Sequence, residues 1–130
     1  MTGGTRAALL AHALLSAAAG PAAAQNPPPT REMRPGQTGT GCFKLTNRAT
    51  FWIPGHAELH SRERVTFRLN PGETREFCLV GTFFADNKVF VMLKNALTWP
   101  VFSCFAPLNQ TLSIFAQKKE EGYRIFMTCK

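Results

Sequence analysis

From Cys42 onward, apolar and polar residues alternate in short runs, and the runs are separated by turn-forming residues. Phe43 and Leu45 alternate with Lys44 and Thr46, the period-two pattern of a half-buried strand. Phe51-Trp52-Ile53 is a β-prone run broken by Pro54-Gly55. Residues 57–69 follow as a half-buried strand, with Val65, Phe67 and Leu69 alternating against Arg64, Thr66 and Arg68. Asn70-Pro71-Gly72-Glu73 reads as a turn with proline at its second position. The chain returns over residues 74–80, with Phe77 and Leu79 on one face and Cys78 on the other.

Ala85-Asp86-Asn87-Lys88 is the next turn. Residues 89–93 are almost wholly apolar, as in a central strand covered on both faces. Residues 97–105 are apolar too, but Pro100 has no N–H to donate, which places an edge or a bulge there. Residues 111–116 and 123–129 form a hairpin across Lys118-Lys119-Glu120-Glu121-Gly122. No stretch carries a helical period. The pattern predicts an all-β domain, a small antiparallel β-sandwich or barrel of roughly seven to eight strands.

The first 24 residues differ in kind. Arg6 precedes the apolar run Ala7-Ala8-Leu9-Leu10-Ala11-His12-Ala13-Leu14-Leu15, and small residues follow, ending Ala22-Ala23-Ala24. This is the layout of a secretory signal peptide cleaved near Ala24, so the mature protein is expected in the periplasm or outside the cell. Residues 25–40 hold Pro27-Pro28-Pro29 and little apolar surface, which predicts a flexible leader. Residues 41–130 then make one β domain. No later segment reaches the ~18–20 apolar residues of a membrane helix.

Export converts the four cysteines, Cys42, Cys78, Cys104 and Cys129, into two expected disulfides. Three pairings exist. Cys42–Cys78 with Cys104–Cys129 is favoured, because in a meander the strands ending at Cys104 and Cys129 would run parallel with one strand between. The nested pairing, Cys42–Cys129 with Cys78–Cys104, is the rival. There is no C-x-x-C pair, so structural zinc and thiol redox chemistry lack their motif.

The formal net charge is +7, and cleavage would remove only Arg6 from it. Lys44, Arg48, Arg62, Arg64 and Arg68 cluster near Phe51 and Trp52, a mixture that suits anionic polymers such as nucleic acid, lipopolysaccharide or wall polymers. Ordinary solubility explains the same charge. A secreted protein partner is the other candidate ligand, and a basic inhibitor would prefer an acidic target. Phe43-Lys44-Leu45-Thr46-Asn47, Trp52 and Leu69-Asn70-Pro71-Gly72-Glu73 together resemble the opening of secreted β-sandwich families, thaumatin-like proteins among them. That family's many-cysteine framework and acidic cleft are missing, so only the sandwich fold is implied.

Catalytic sets are incomplete. The only aspartate, Asp86, sits in a turn, and there is neither a G-x-S-x-G elbow nor a glycine-rich phosphate loop. His56, Glu58 and His60 are spaced i, i+2, i+4 and would share one face of a strand. Two imidazoles and a carboxylate can hold a metal. Beside Arg62 and Arg64 they could also serve a small basic ribonuclease as base, acid and phosphate clamp. The plainer reading is a solvated strand face with Ala57 and Leu59 turned inward, and Pro54-Gly55 and Ser61 also point to a loop here. No cofactor is implied. The leading expectation is a small exported β-sandwich with a binding or structural role.

Overall fold

Alternation requires each strand to bury one face, and the strands do so by stacking two sheets. The computed structural model describes residues 34–130. It contains eight strands: β1 Pro35–Asn47, β2 Ile53–Glu58, β3 Arg64–Leu69, β4 Thr74–Phe84, β5 Val89–Lys94, β6 Pro100–Ala106, β7 Thr111–Lys119 and β8 Gly122–Met127. Sheet I has the order β4-β1-β7-β8, and sheet II has the order β3-β2-β5-β6. The fold is the expected two-disulfide β-sandwich. The expected signal peptide, its cleavage site and residues 25–33 of the leader lie outside the described residues.

Between the sheets lies an apolar core. Sheet I supplies Phe43, Leu45, Phe77, Leu79, Leu112 and Ile114, and sheet II supplies Ile53, Phe67, Leu69, Val91 and Leu93. Phe77 joins the layers, with its ring 5.5 Å from Phe43 and 5.1 Å from Phe67. Each such ring stabilises the fold by about 1.5–3 kcal/mol through burial. Gly55 makes room for Phe67. A Cβ at that position would lie 2.7 Å from the Phe67 ring and 2.4 Å from the Met92 carbonyl oxygen.

Four sequence expectations need correction. The first concerns strand direction: β7 runs parallel to β1, pairing Leu45 with Leu112 and Asn47 with Ile114. The chain leaves β6 in sheet II, crosses to sheet I and enters beside β1 instead of folding back on its predecessor.

The second concerns the leader. β1 begins at Pro35, and Thr38, Gly39 and Thr40 pair with Thr82, Gly81 and Val80 of β4. Sheet pairing uses backbone groups, so a weakly apolar segment is held where β4 offers an edge; Thr38 and Thr82 add a hydroxyl contact at 2.8 Å.

The third concerns residues 57–69, which are not one strand. β2 stops at Glu58, and Leu59 and Arg62 close a tight turn, with the Arg62 N–H donating to the Leu59 carbonyl at 2.9 Å. The fourth is β5, where Phe90 and Met92 point outward and stay half-buried instead of meeting a second covering layer. The Pro100 expectation holds: β6 is an edge strand, and its register shifts where Lys94 meets Pro100.

Both disulfides form as favoured, but one arises differently from the meander argument. Cys42 and Cys78 face each other directly across β1 and β4, with Cα atoms 4.1 Å apart, on the outer face of sheet I. Cys104 lies on β6 of sheet II and Cys129 lies past the end of β8 of sheet I, with Cα atoms 6.4 Å apart. The second bond therefore closes an edge of the sandwich between layers.

Among the described residues two polar side chains are buried, His56 on the outer side of sheet II and Asn47 inside the sandwich. Asn47 ends β1 fully buried, and its Nδ2 donates to the carbonyls of Phe51 and Leu69, each at 2.9 Å. Its Oδ1 accepts the Ala49 N–H at 2.9 Å. Its backbone N–H donates to Glu73, and its carbonyl accepts from Gly72. Gly72 has φ of +77° and follows Pro71, and the Glu73 N–H donates to the Asn70 carbonyl at 3.0 Å, the pattern of a type II turn. Asn47→Ala keeps the backbone bonds but takes the side-chain partner from the Phe51 and Leu69 carbonyls and the Ala49 N–H, at about 1–3 kcal/mol for each group left unsatisfied. The expected loss of unfolding free energy is about 3 kcal/mol. Urea denaturation followed by tryptophan fluorescence measures it, and a loss below about 1 kcal/mol would contradict the bonding described.

Candidate functional site

Strand parity sorts the sequence candidates. In sheet II the inward positions are Ile53, Gly55 and Ala57 on β2 and Val65, Phe67 and Leu69 on β3. The outward positions are therefore Pro54, His56 and Glu58 on β2, and Arg64, Thr66 and Arg68 on β3. Phe90, Met92 and Lys94 face the same way on β5, and Ser103 and Phe105 do so on β6. This outer face carries three cations and one acid.

The histidine–glutamate set does not assemble. His56 is buried at 6% exposure, cross-strand from Thr66 and Met92. Glu58 turns to Arg64, with Oε2 3.4 Å from its guanidinium. His60 has left the strand and is exposed in the turn after it. The two imidazoles are linked by way of phenyl rings. His56 lies 6.4 Å from Phe90, Phe90 lies 5.5 Å from Phe105, Phe105 lies 4.9 Å from Phe84, and Phe84 lies 5.3 Å from His60. Among the described residues no three of His, Cys, Asp or Glu are grouped as metal ligands. The parity argument fails for His60 because the strand ends two residues before it.

The basic candidates divide. Arg64 and Arg68 share the outer face of β3 as the spacing implies. Arg62 does not join them, because it lies in the turn with φ of +79°. Lys44 is on the outer face of sheet I, in register with Glu76, and Arg48 follows β1 with its Nε donating to Ser113 Oγ at 3.2 Å. Arg68 has the most developed environment: its guanidinium carbon sits 3.8 Å from the centre of the Trp52 ring. A cation over an indole face is held in a defined place without losing its charge. Arg75 reinforces the site from β4, donating to the Arg68 carbonyl at 3.3 Å while its Nε bonds Glu73 at 2.9 Å.

Sequence reasoning missed Lys94. It follows the apolar run 89–93, and only the β2–β5 and β5–β6 registers bring it to the same face as Arg64 and Arg68. Continuing the alternation of β5 past Leu93 gives the outward aim of Lys94, though not its neighbours. Asn47 was equally hidden, since an asparagine at a strand end ordinarily signals a turn.

The electrostatics of the face show in His56. Burial, then Arg64 and Lys94, push its pKa below the ordinary histidine value, and Glu58 opposes them. Its Nδ1 is buried with no hydrogen-bond partner. Glu73, in the turn beside this face, is lowered by the Asn70 N–H and by Arg75.

Comparison with known protein families, curated proteins and solved structures finds no match to this chain.

The unfolded chain protonates at His56 more readily than the folded one, so stability falls as pH drops below about 6.5. His56→Gln should flatten this dependence down to the region where carboxylates titrate. Thermal denaturation between pH 7.5 and 5 measures it, and an equally steep decline in the variant would show that His56 is not its source.

Proposed function

We propose that this protein is a small exported binding protein that engages anionic polymers through the outer face of sheet II. The observation that carries the reading is the shared face of Arg64, Arg68 and Lys94, with Trp52 beneath Arg68 at 3.8 Å. Glu58 is the one acid among the outward strand positions, and Arg64 neutralises it at 3.4 Å. Polymer phosphates, sulfates or carboxylates spaced along a chain meet cations spaced along strands, and each neutralised group releases counterions. A half-buried apolar floor of Phe90, Met92 and Phe105 lowers the local dielectric and strengthens each contact.

Export is supported by two disulfides and by the signal-like residues 1–24. Mass spectrometry of the exported protein should show loss of residues 1–24 and no free thiols. Four reactive thiols in the native exported protein would overturn the disulfide pairing, and a chain that stays in the cell with residues 1–24 attached would overturn the export reading.

Binding is tested on a heparin matrix. Arg64→Ala with Arg68→Ala should elute at lower salt, and the slope of log affinity against log salt should fall by about 2. Both side chains are exposed, so the fold should persist. Lys44→Ala, on the other sheet, should elute near the parent. If the double variant binds as the parent does at every salt concentration, the positive charge serves solubility alone.

A further inference from the structure

Four connections, β1–β2, β3–β4, β5–β6 and β7–β8, lie at one end of the sandwich, because β1, β3, β5 and β7 all finish there. The surface chemistry of that end is unlike the rest. Of the large hydrophobic side chains exposed among the described residues, Leu97, Trp99, Val101 and Tyr123 are at this end, and only Val80 is elsewhere. The chain has one tyrosine and two tryptophans, and all three are at this end, together with Phe51. Indole and phenol combine an apolar face with a polar tip, which suits a ligand that is itself apolar on one side and polar at its rim.

A cleft of about 320 Å³ opens among these connections, lined by Phe51, Trp52, Lys94, Asn95, Glu121 and Tyr123 among others. Its volume is at the lower end of the ~300–1,000 Å³ range of small-molecule sites, so it suits one ring of a polymer and not a length of chain. The walls are preset. Tyr123 meets Phe51 edge-on at 5.0 Å and is still 54% exposed, so its ring is braced but open. Asn95 Oδ1 accepts the N–H groups of Leu97 and Trp99 at 2.9 and 3.0 Å, which fixes the carboxamide and leaves its Nδ2 hydrogens for a ligand.

Resting on the anionic-polymer reading, we propose that the polymer is an acidic polysaccharide and that one of its sugar rings seats in this cleft. Lys94 and Asn95 donate and Glu121 accepts, a combination that matches hydroxyl groups, which do both. A bare chain of phosphates has no hydrogen for Glu121 to accept and would only be repelled by it. Trp52 joins the cleft to the cationic face, since Arg68 covers one side of its ring. A saccharide seated against Trp52 and Tyr123 would therefore lead its neighbouring acidic groups over Arg68 towards Arg64.

The test uses three probes: a heparin-derived hexasaccharide, inorganic polyphosphate of matched charge, and a dT oligonucleotide. Affinities are read by titration calorimetry. The parent should prefer the hexasaccharide to polyphosphate by about tenfold. Tyr123→Ala, which removes an exposed ring and leaves the core intact, should abolish that preference without changing polyphosphate affinity. Arg64→Ala with Arg68→Ala should weaken both. Equal affinities in the parent, tighter binding of the dT oligonucleotide, or an unchanged preference in Tyr123→Ala would overturn the saccharide proposal. If the parent prefers the hexasaccharide but the arginine variant loses nothing, the cleft binds sugar and the anionic-polymer reading fails separately.

Discussion

The hydrogen bonds of Asn47 organise one whole end of the molecule. A buried carboxamide must find partners or cost several kcal/mol, and this one finds them in the β1–β2 connection and at the end of β3. Its own backbone bonds reach the β3–β4 turn. At this end of the sandwich the Asn47 side chain thus ties sheet I to sheet II. Trp52, one residue past a carbonyl that Asn47 holds, and Arg68, one residue before the other, are thereby brought within cation–π distance. The candidate binding face begins at this buried contact.

The disulfides divide the remaining work. Cys42–Cys78 pins two neighbouring strands whose register is also held by hydroxyl contacts between Thr38 and Thr82 and between Thr46 and Thr74. Cys104–Cys129 connects layers, where no backbone ladder acts. Both restrict the unfolded chain, which matters for a small domain with a modest core. At the opposite end from Asn47, Ser61 performs a comparable task without a covalent bond. Its Oγ accepts the Thr82 N–H and donates to Glu63, tying the β2–β3 turn to β4.

The outer face of sheet II is neither an ordinary solvated face nor a second core. Phe90 and Phe105 pack on each other, and Phe84 extends the aromatic row, so His56 is buried on a side that faces away from the main core. Burial against the apolar floor first, and then Arg64 and Lys94 at its rim, favour neutral imidazole. Those two cations are among the groups the proposed polymer would meet.

Alternation along the chain determined the fold class, most strand positions, the Pro71-Gly72 turn and the outward aim of Arg64 and Arg68. These follow from local rules, because side chains on a strand change face at every residue. The cysteine pairing was also reached from the sequence, though through a topology that does not occur. Tertiary structure decided what depends on which strands become neighbours. The parallel course of β7 beside β1, the layer-spanning role of Cys104–Cys129 and the placing of Lys94 and Arg68 on one face of sheet II are set by non-local pairing, which no window of sequence contains. The separation of His60 from His56 came from where β2 stops, which the turn bond between Arg62 and Leu59 sets. Parity holds only while the strand lasts, and here the turn that joins β2 to β3 ends it.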